Sequence, residues 1–226
     1  MTTIGFRILP SPPRAPKNLL AAFASLPTSN ISDNMLRHQG AGARLRPFHR
    51  GAKLVGTAFT VKTRPGDNLL THKAIDMAAP GDVILVDAGG ALDQAIIGEI
   101  MSSLAQKRGV AGMVIDGAIR DVDAIAASDF PVYACGVTHR GPYKDGPGEI
   151  NVPISISGMV VNPGDIIIGD ADGLVAVPQA DAERLIALTI AQKEKEEAVL
   201  AQIASGQAID RSWVDKLLRD KGCSLP

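Results

Sequence analysis

Arg120 and Asp121, directly after an apolar run, and Glu99, separated from Arg120 by twenty positions, are the residues whose types and spacing could do chemistry. A carboxylate can hold a hard cation or take a proton. A planar guanidinium can grip an oxygen pair and stabilise developing negative charge better than a lysine. By residue type alone, Arg120–Asp121 also reads as a surface ion pair or a helix cap at Asp121. Glu99 likewise reads as an acid in a first helical turn, favoured by the helix dipole.

The stretch from Asp87 to Asp121 must position these groups. Val83–Val86 and Met113–Ile115 are apolar runs of strand type, each ending in an acidic residue plus glycine. Between them Ile97, Ile100, Met101 and Leu104 fall at helical spacing and predict one apolar face. A helix beginning near Gly98 would offer free N–H groups as a cradle for an anion. Polar groups at strand ends and helix starts are where α/β domains place their sites.

Residues 1–17 read as an extended, proline-bearing arm, and residues 18–205 as one domain, followed by a tail over 206–226. Helices are expected over Asn18–Leu26, Ser29–Met35 and Thr71–Met77, and a strand over Lys53–Lys62. Pro65-Gly66-Asp67, Pro80-Gly81-Asp82 and Pro163-Gly164-Asp165 form turns whose role is geometric. From Pro131 to Val177 short strands alternate with glycines: Val132–Cys135, Ile154–Ile156, Met159–Val161, Asp165–Gly169 and Leu174–Val177. A long helix over about Ala180–Ser205 follows, with Leu185, Leu188, Val199, Leu200 and Ile203 as packing positions. Its charge run, Lys193–Glu197, reads as a solvated face. A helix-bearing half followed by a glycine-punctuated strand half argues against a plain doubly wound sheet.

At 226 residues the chain suits one well-buried domain. With 23 basic against 24 acidic residues, no global field attracts nucleic acid or an anionic membrane. Prolines interrupt the opening residues before a charged segment and an apolar one could form a leader pattern, and no apolar run is long enough to span a bilayer, so a cytoplasmic location with free thiols is expected. Cys135 reads as a buried thiol rather than a nucleophile. The four histidines lack ligand spacing for zinc, and His139 reads as a loop residue. Asp87, Asp116, Asp170 and Asp172 read as turn formers at strand ends.

The ordered set Gly89-Gly90, Gly98-Glu99, Gly109-Val110-Ala111-Gly112 and Ile115–Asp121 resembles the family of RraA-like proteins and 4-hydroxy-4-methyl-2-oxoglutarate aldolases. The resemblance extends upstream through residues 55–75 and downstream through Pro147–Pro178, covering about residues 25–205. It implies an α/β, three-layer β/β/α, swivelling-domain-like fold with a C-terminal helix. It also implies homotrimers or hexamers with active sites shared between subunits. On that resemblance Asp121 is the ligand of a divalent metal, Mg2+ or Mn2+, and Glu99 holds a metal-linked water. Arg120 contacts the keto-acid oxygens. The backbones of Gly98, Ile100 and Met101 bind pyruvate, while the side chains of Ile100 and Met101 are expected in the core. A third acid, Glu196 or alternatively Glu197, is expected from a neighbouring subunit.

The implied activity is metal-dependent cleavage of a 4-hydroxy-2-oxo acid to pyruvate, with oxaloacetate decarboxylation as a further possibility. A Schiff-base route through Lys62 is the chemical alternative. The non-enzymatic alternative is a protein-binding regulator of ribonuclease E.

Overall fold

The computed structural model describes residues 3–225. The chain begins with β1 (Phe6–Ile8), α1 (Lys17–Ala24), α2 (Thr28–Asn34), β2 (Arg46–Pro47), β3 (Leu54–Thr63) and α3 (Leu69–Met77). The site-bearing stretch follows as β4 (Asp82–Ile97), α4 (Glu99–Lys107), β5 (Gly112–Ile119) and α5 (Val122–Ala126). Then come β6 (Val132–Val137), β7 (Gly148–Ile150), β8 (Ile154–Ile156), β9 (Met159–Val161), β10 (Ile166–Asp170) and β11 (Gly173–Val177). The chain closes with α6 (Ala182–Ala204) and α7 (Ser212–Asp220).

Strands β3, β4, β5 and β6 run parallel in that order at the centre of the sheet. They are apolar on both faces because both faces are covered. Along β4, Ile84 and Val86 face one core while Val83 and Leu85 face another, the period-two alternation of a strand. The first core is roofed by α3, α4 and α5 through Ala74, Met101, Ala105 and Ile125. The second is closed by the β8–β9 hairpin and by β10–β11, through Ile156, Met159 and Ile167. Helices, central sheet and a second β layer are therefore stacked in the expected β/β/α order. A third core joins α1, α2 and the start of α6 to the outer face of β10–β11.

Two of the Pro-Gly-Asp turns lead into strands as expected. Gly81 and Gly164 adopt φ of +89° and +93°, and Asp82 and Asp165 accept backbone N–H bonds from Ala79 and Asn162 at 2.8 Å. The N-terminal arm is extended but anchored. Its Phe6–Ile8 pairs in parallel with β7, and Arg7 donates to the nearly buried Glu149 at 2.6 Å.

Three sequence expectations are corrected here. Ile97 ends β4 instead of opening the helix, and Ile100 and Leu104 are 80% and 41% exposed. The buried face of α4 is Met101, Ser102 and Ala105, so the core expectation holds for Met101 and fails for Ile100. The helix starts two residues later than the apolar spacing suggests, and that rotates its face. Asp116 is no turn former: it sits inside β5 and accepts from the Cys135 Sγ–H at 3.1 Å and the Ser157 N–H at 3.1 Å. Within the tail, residues 212–220 form α7, which buries none of its side chains.

Candidate active site

β4 is twice as long as β5, the strand it pairs with at the site, 16 residues against 8. Asp87 pairs with Asp116 and Ile97 with Ile119, so the stretch of β4 between them bulges outward in irregular steps. Gly89 and Gly90, both at positive φ, allow the excursion. Its consequence is that Ile97 returns beside Ile119, and the Arg120 N–H bonds the Ile97 carbonyl at 3.0 Å. The residues directly after the two strands, Gly98-Glu99 and Arg120-Asp121, are thereby brought side by side.

The contact is tight. The Glu99 N–H donates to Asp121 Oδ2 at 3.1 Å, and Arg120 Nε lies 3.7 Å from the same oxygen. A Cβ placed on Gly98 would stand 2.3 Å from Asp121 Oδ2 and 3.0 Å from Arg120 Cγ. Only glycine lets the carboxylate approach the start of α4 this closely. Asp121 itself is held at φ +56°, ψ +40°, a left-handed conformation that aspartate tolerates better than most residues. Asp121 Oδ1 has no hydrogen-bond partner among the described residues.

Gly98, Arg120 and Asp121 line a cleft of about 170 Å³ together with Asn68, His72, Ile96, Pro142 and Lys144. Gly98 caps α4, and the first intrahelical bond is Ser102 N–H to the Gly98 carbonyl at 3.1 Å. The amides of Ile100 and Met101 are therefore unpartnered among the described residues, in a first turn that borders the cleft. Around them stand Arg120, Lys144 and His72. Burial lowers the His72 pKa, and the Lys144 charge lowers it further, against the opposing pull of Asp76. Asn68 is 2% exposed; its Nδ2 donates to the Ile96 carbonyl at 2.9 Å, and its Oδ1 has no partner among the described residues.

The expected site residues are distributed as follows. Gly98, Ile100, Met101, Arg120 and Asp121 meet in this cleft. The Glu99 side chain is exposed and lines a neighbouring hollow between α4 and α5, with Ser103, Gln106 and Ala124. Glu196 is elsewhere in its own chain, accepting from Asn30 Nδ2 at 2.7 Å and Gln192 Nε2 at 2.8 Å. Glu197 pairs with Lys193 at 3.7 Å. Lys62 is exposed on β3 and does not line the cleft. Cys135 is half-buried, and burial beside Asp116 pushes its thiol up to about 12, which removes it as a nucleophile at neutral pH.

Sequence reasoning missed Asn68, His72 and Lys144. They come from segments about 30 and 20 residues away from Glu99 and Arg120, and no spacing rule links them. The only available signal was the charged and aromatic content of the loop PYKDGP, residues 142–147.

The donor set can be tested against a hard divalent cation. No group of three His, Cys, Asp or Glu side chains among the described residues could hold a metal by itself. One exposed carboxylate with a free oxygen, facing a cleft, fits an ion that retains most of its waters. No helix among the described residues is long and apolar enough to cross a membrane.

Comparison with known proteins sharpens this picture. The profile of the RraA-like family (Aldolase/RraA) matches residues 28–176. A Halalkalibacterium halodurans protein, named as a candidate 4-hydroxy-4-methyl-2-oxoglutarate aldolase, is 36% identical over 201 residues, 89% of this chain and 96% of its own. An uncharacterised Pseudomonas syringae protein superposes with a TM-score of 0.78 at 28% identity, covering 87% of this chain and 97% of its own. The RNA-processing inhibitor RraA of Thermus thermophilus superposes with a TM-score of 0.62 at 30% identity, over 67% of this chain and 92% of its own.

Proposed function

The chain belongs to the RraA-like family, and on that premise we propose that it is a divalent-metal-dependent carbon–carbon lyase. Its substrate would be a 4-hydroxy-2-oxo acid such as 4-hydroxy-4-methyl-2-oxoglutarate, cleaved to pyruvate. The observation that carries this reading is the joint placement of free helix amides, Arg120, Lys144 and one open carboxylate, Asp121, around a single cleft. The halophile relative's name supports the same substrate class.

The chemistry follows from the polarity of the cleft. The amides of Ile100 and Met101, at the positive end of α4, suit the carboxylate of a 2-oxo acid. Arg120 faces the same space and would stabilise the negative charge that gathers on the keto oxygen as the C3–C4 bond breaks. Lys144, with the half-buried His72 beside it, would receive the carboxylate at the far end of a dicarboxylic substrate. Asp121 would hold Mg2+ or Mn2+, which supplies Lewis-acid polarisation of the 2-oxo acid. Taking the C4-hydroxyl proton falls to a carboxylate at the cleft mouth. Glu99 and Glu196 from a second copy are the proposed pair, although Glu99 must change rotamer to reach it. The same enolate-stabilising groups would serve oxaloacetate decarboxylation.

A second reading has its own support. A relative of this fold is an RNA-processing inhibitor, and α6 and α7 expose Val199, Leu200, Ile203, Trp213 and Leu217. A protein-binding regulator of ribonuclease E could use such a surface. Asp121→Ala separates the two. It should abolish pyruvate release from a panel of 4-hydroxy-2-oxo acids in magnesium buffer while leaving the fold intact. Near-normal pyruvate production by the folded variant would sink the lyase assignment. Ribonuclease inhibition by wild type and variant alike, with no lyase activity in either, would establish the regulator.

A further inference from the structure

Asp67 is a carboxylate with no part in the chemistry above, yet it is fully buried, 0% exposed, at the edge of the cleft. Its Oδ1 accepts from the Leu69 N–H at 2.9 Å, the first residue of α3. Its Oδ2 accepts from the N–H groups of Asp145 at 2.8 Å and Gly146 at 2.9 Å. Arg64 Nη2 lies 3.4 Å from the same oxygen. Two more bonds run between these segments: Tyr143 N–H to the Gly66 carbonyl at 2.8 Å, and Asn68 N–H to the Tyr143 carbonyl at 3.0 Å. The partners are not scattered. One segment carries Asn68 and His72, the other carries Pro142 and Lys144, and all four line the cleft.

A buried carboxylate left without donors is costly, so three converging backbone amides make a strong and directional tie. An amide side chain cannot fully replace it, because its oxygen can accept at one set of backbone N–H groups while its NH₂ meets the other. We infer that Asp67 is a positioning residue that clamps the 142–147 loop to the first turn of α3 and so sets the width of the cleft. It touches no reacting atom; it fixes how far Lys144 stands from Arg120 and from the α4 amides. The inference rests on the reading of this cleft as the reaction site, and it deepens that reading by naming what holds the far wall.

The test is Asp67→Asn, followed by hydrogen exchange over the whole chain, including peptides spanning 66–72 and 139–147, oxalate calorimetry in magnesium buffer, and steady-state kinetics. Oxalate is the probe because its planar pair of carboxylates imitates the enolate of a 2-oxo acid. The expected result is faster exchange confined to that loop and to the start of α3. Oxalate affinity should weaken and KM rise by about 10-fold or more, with kcat affected less, as for a displaced binding wall. A merely structural role would lower the melting temperature but leave KM and oxalate affinity unchanged, and that outcome would overturn the inference. So would unchanged exchange in the loop. The exchange and oxalate readouts need no turnover: if the wild type cleaves no substrate but both respond as expected, the reaction assignment fails and the clamp stands. If the variant does not fold, wild-type exchange decides. Fast, unprotected exchange at Asp145 and Gly146 would then refute the clamp, and strong protection there would support it.

Discussion

Arg120 is the residue whose role depends most on geometry rather than charge. Its Nε approaches Asp121 at 3.7 Å, and the side chain lines the cleft. Arg120→Lys keeps the charge and loses the planar pair of donors. Catalytic efficiency for pyruvate release should fall by about 2–4 kcal/mol of transition-state stabilisation. An unchanged kcat/KM would show that Arg120 makes only a structural pair. Gly98 is a second test at this scale, because it contributes nothing but the absence of a side chain. In Gly98→Ala the new methyl would fall 2.3 Å from Asp121 Oδ2 and push that carboxylate out of place. Activity should drop by roughly 100-fold, the order expected for an ångström-scale displacement, while the backbone at φ −148° accepts alanine without strain. A folded Gly98→Ala variant of normal activity would mean that the Asp121–Glu99 contact is dispensable.

At the scale of elements, the bulged β4 and the Gly66–Leu69 turn do most of the positioning. The β4 excursion delivers Gly98 to Arg120, and the turn fastens α3 to the 142–147 loop through Asp67. Burial alone would raise the Asp67 carboxyl. The amides of Leu69, Asp145 and Gly146, with the Arg64 charge, outweigh it and hold the group below its ordinary 3.8. A depressed carboxylate stabilises the fold above its unfolded-state value, and that contribution is lost as pH falls through the lower, folded value. The melting-temperature gap between wild type and Asp67→Asn should therefore be full at pH 7 and narrow below about pH 4. About 2–3 kcal/mol is the order at neutral pH for breaking a buried, charge-assisted network. A gap that stays constant down to pH 2 would show that the ionised form is not what the fold uses.

At the scale of the whole molecule, α6 buries side chains against the body only in its first half, and α7 buries no side chain. Beyond Lys193 every α6 side chain is exposed, although both helices carry large apolar residues. The family profile stops at residue 176, before either helix. Glu196 is oriented by Asn30 and Gln192, away from the cleft of its own chain. A site shared between copies would account for that separation, and it makes a prediction. Inactive Asp121→Ala and inactive Glu196→Ala chains, dissociated and reassembled together, should recover part of the activity, since some interfaces then hold both intact groups. Hetero-oligomers that form by mass and stay inactive, with Glu197→Ala mixtures also failing, would refute the shared site.

The sequence by itself determined the local parts of this protein. The central strands and those from Val132 to Val177 include the apolar runs read as strands, and α6 forms within two residues of its expected limits, while β1, β2 and β7 were not expected. The Gly98-Glu99 and Arg120-Asp121 pairing was legible because a strand, helix and return strand have a nearly fixed length, which the resemblance recognised as spacing. The tertiary structure decided the rest. The face of α4 turned on where β4 ended, and β4 ended late because its bulge consumed residues that periodicity alone cannot count. Asp116 became a buried partner of Cys135 only because β6 and the β8–β9 hairpin closed over it. Asn68, His72 and Lys144 joined the cleft through bonds between segments some 75 residues apart, with Asp67 at their centre. Such long-range ties leave no period in a sequence; they exist only once the chain has brought a buried carboxylate to the amides that satisfy it.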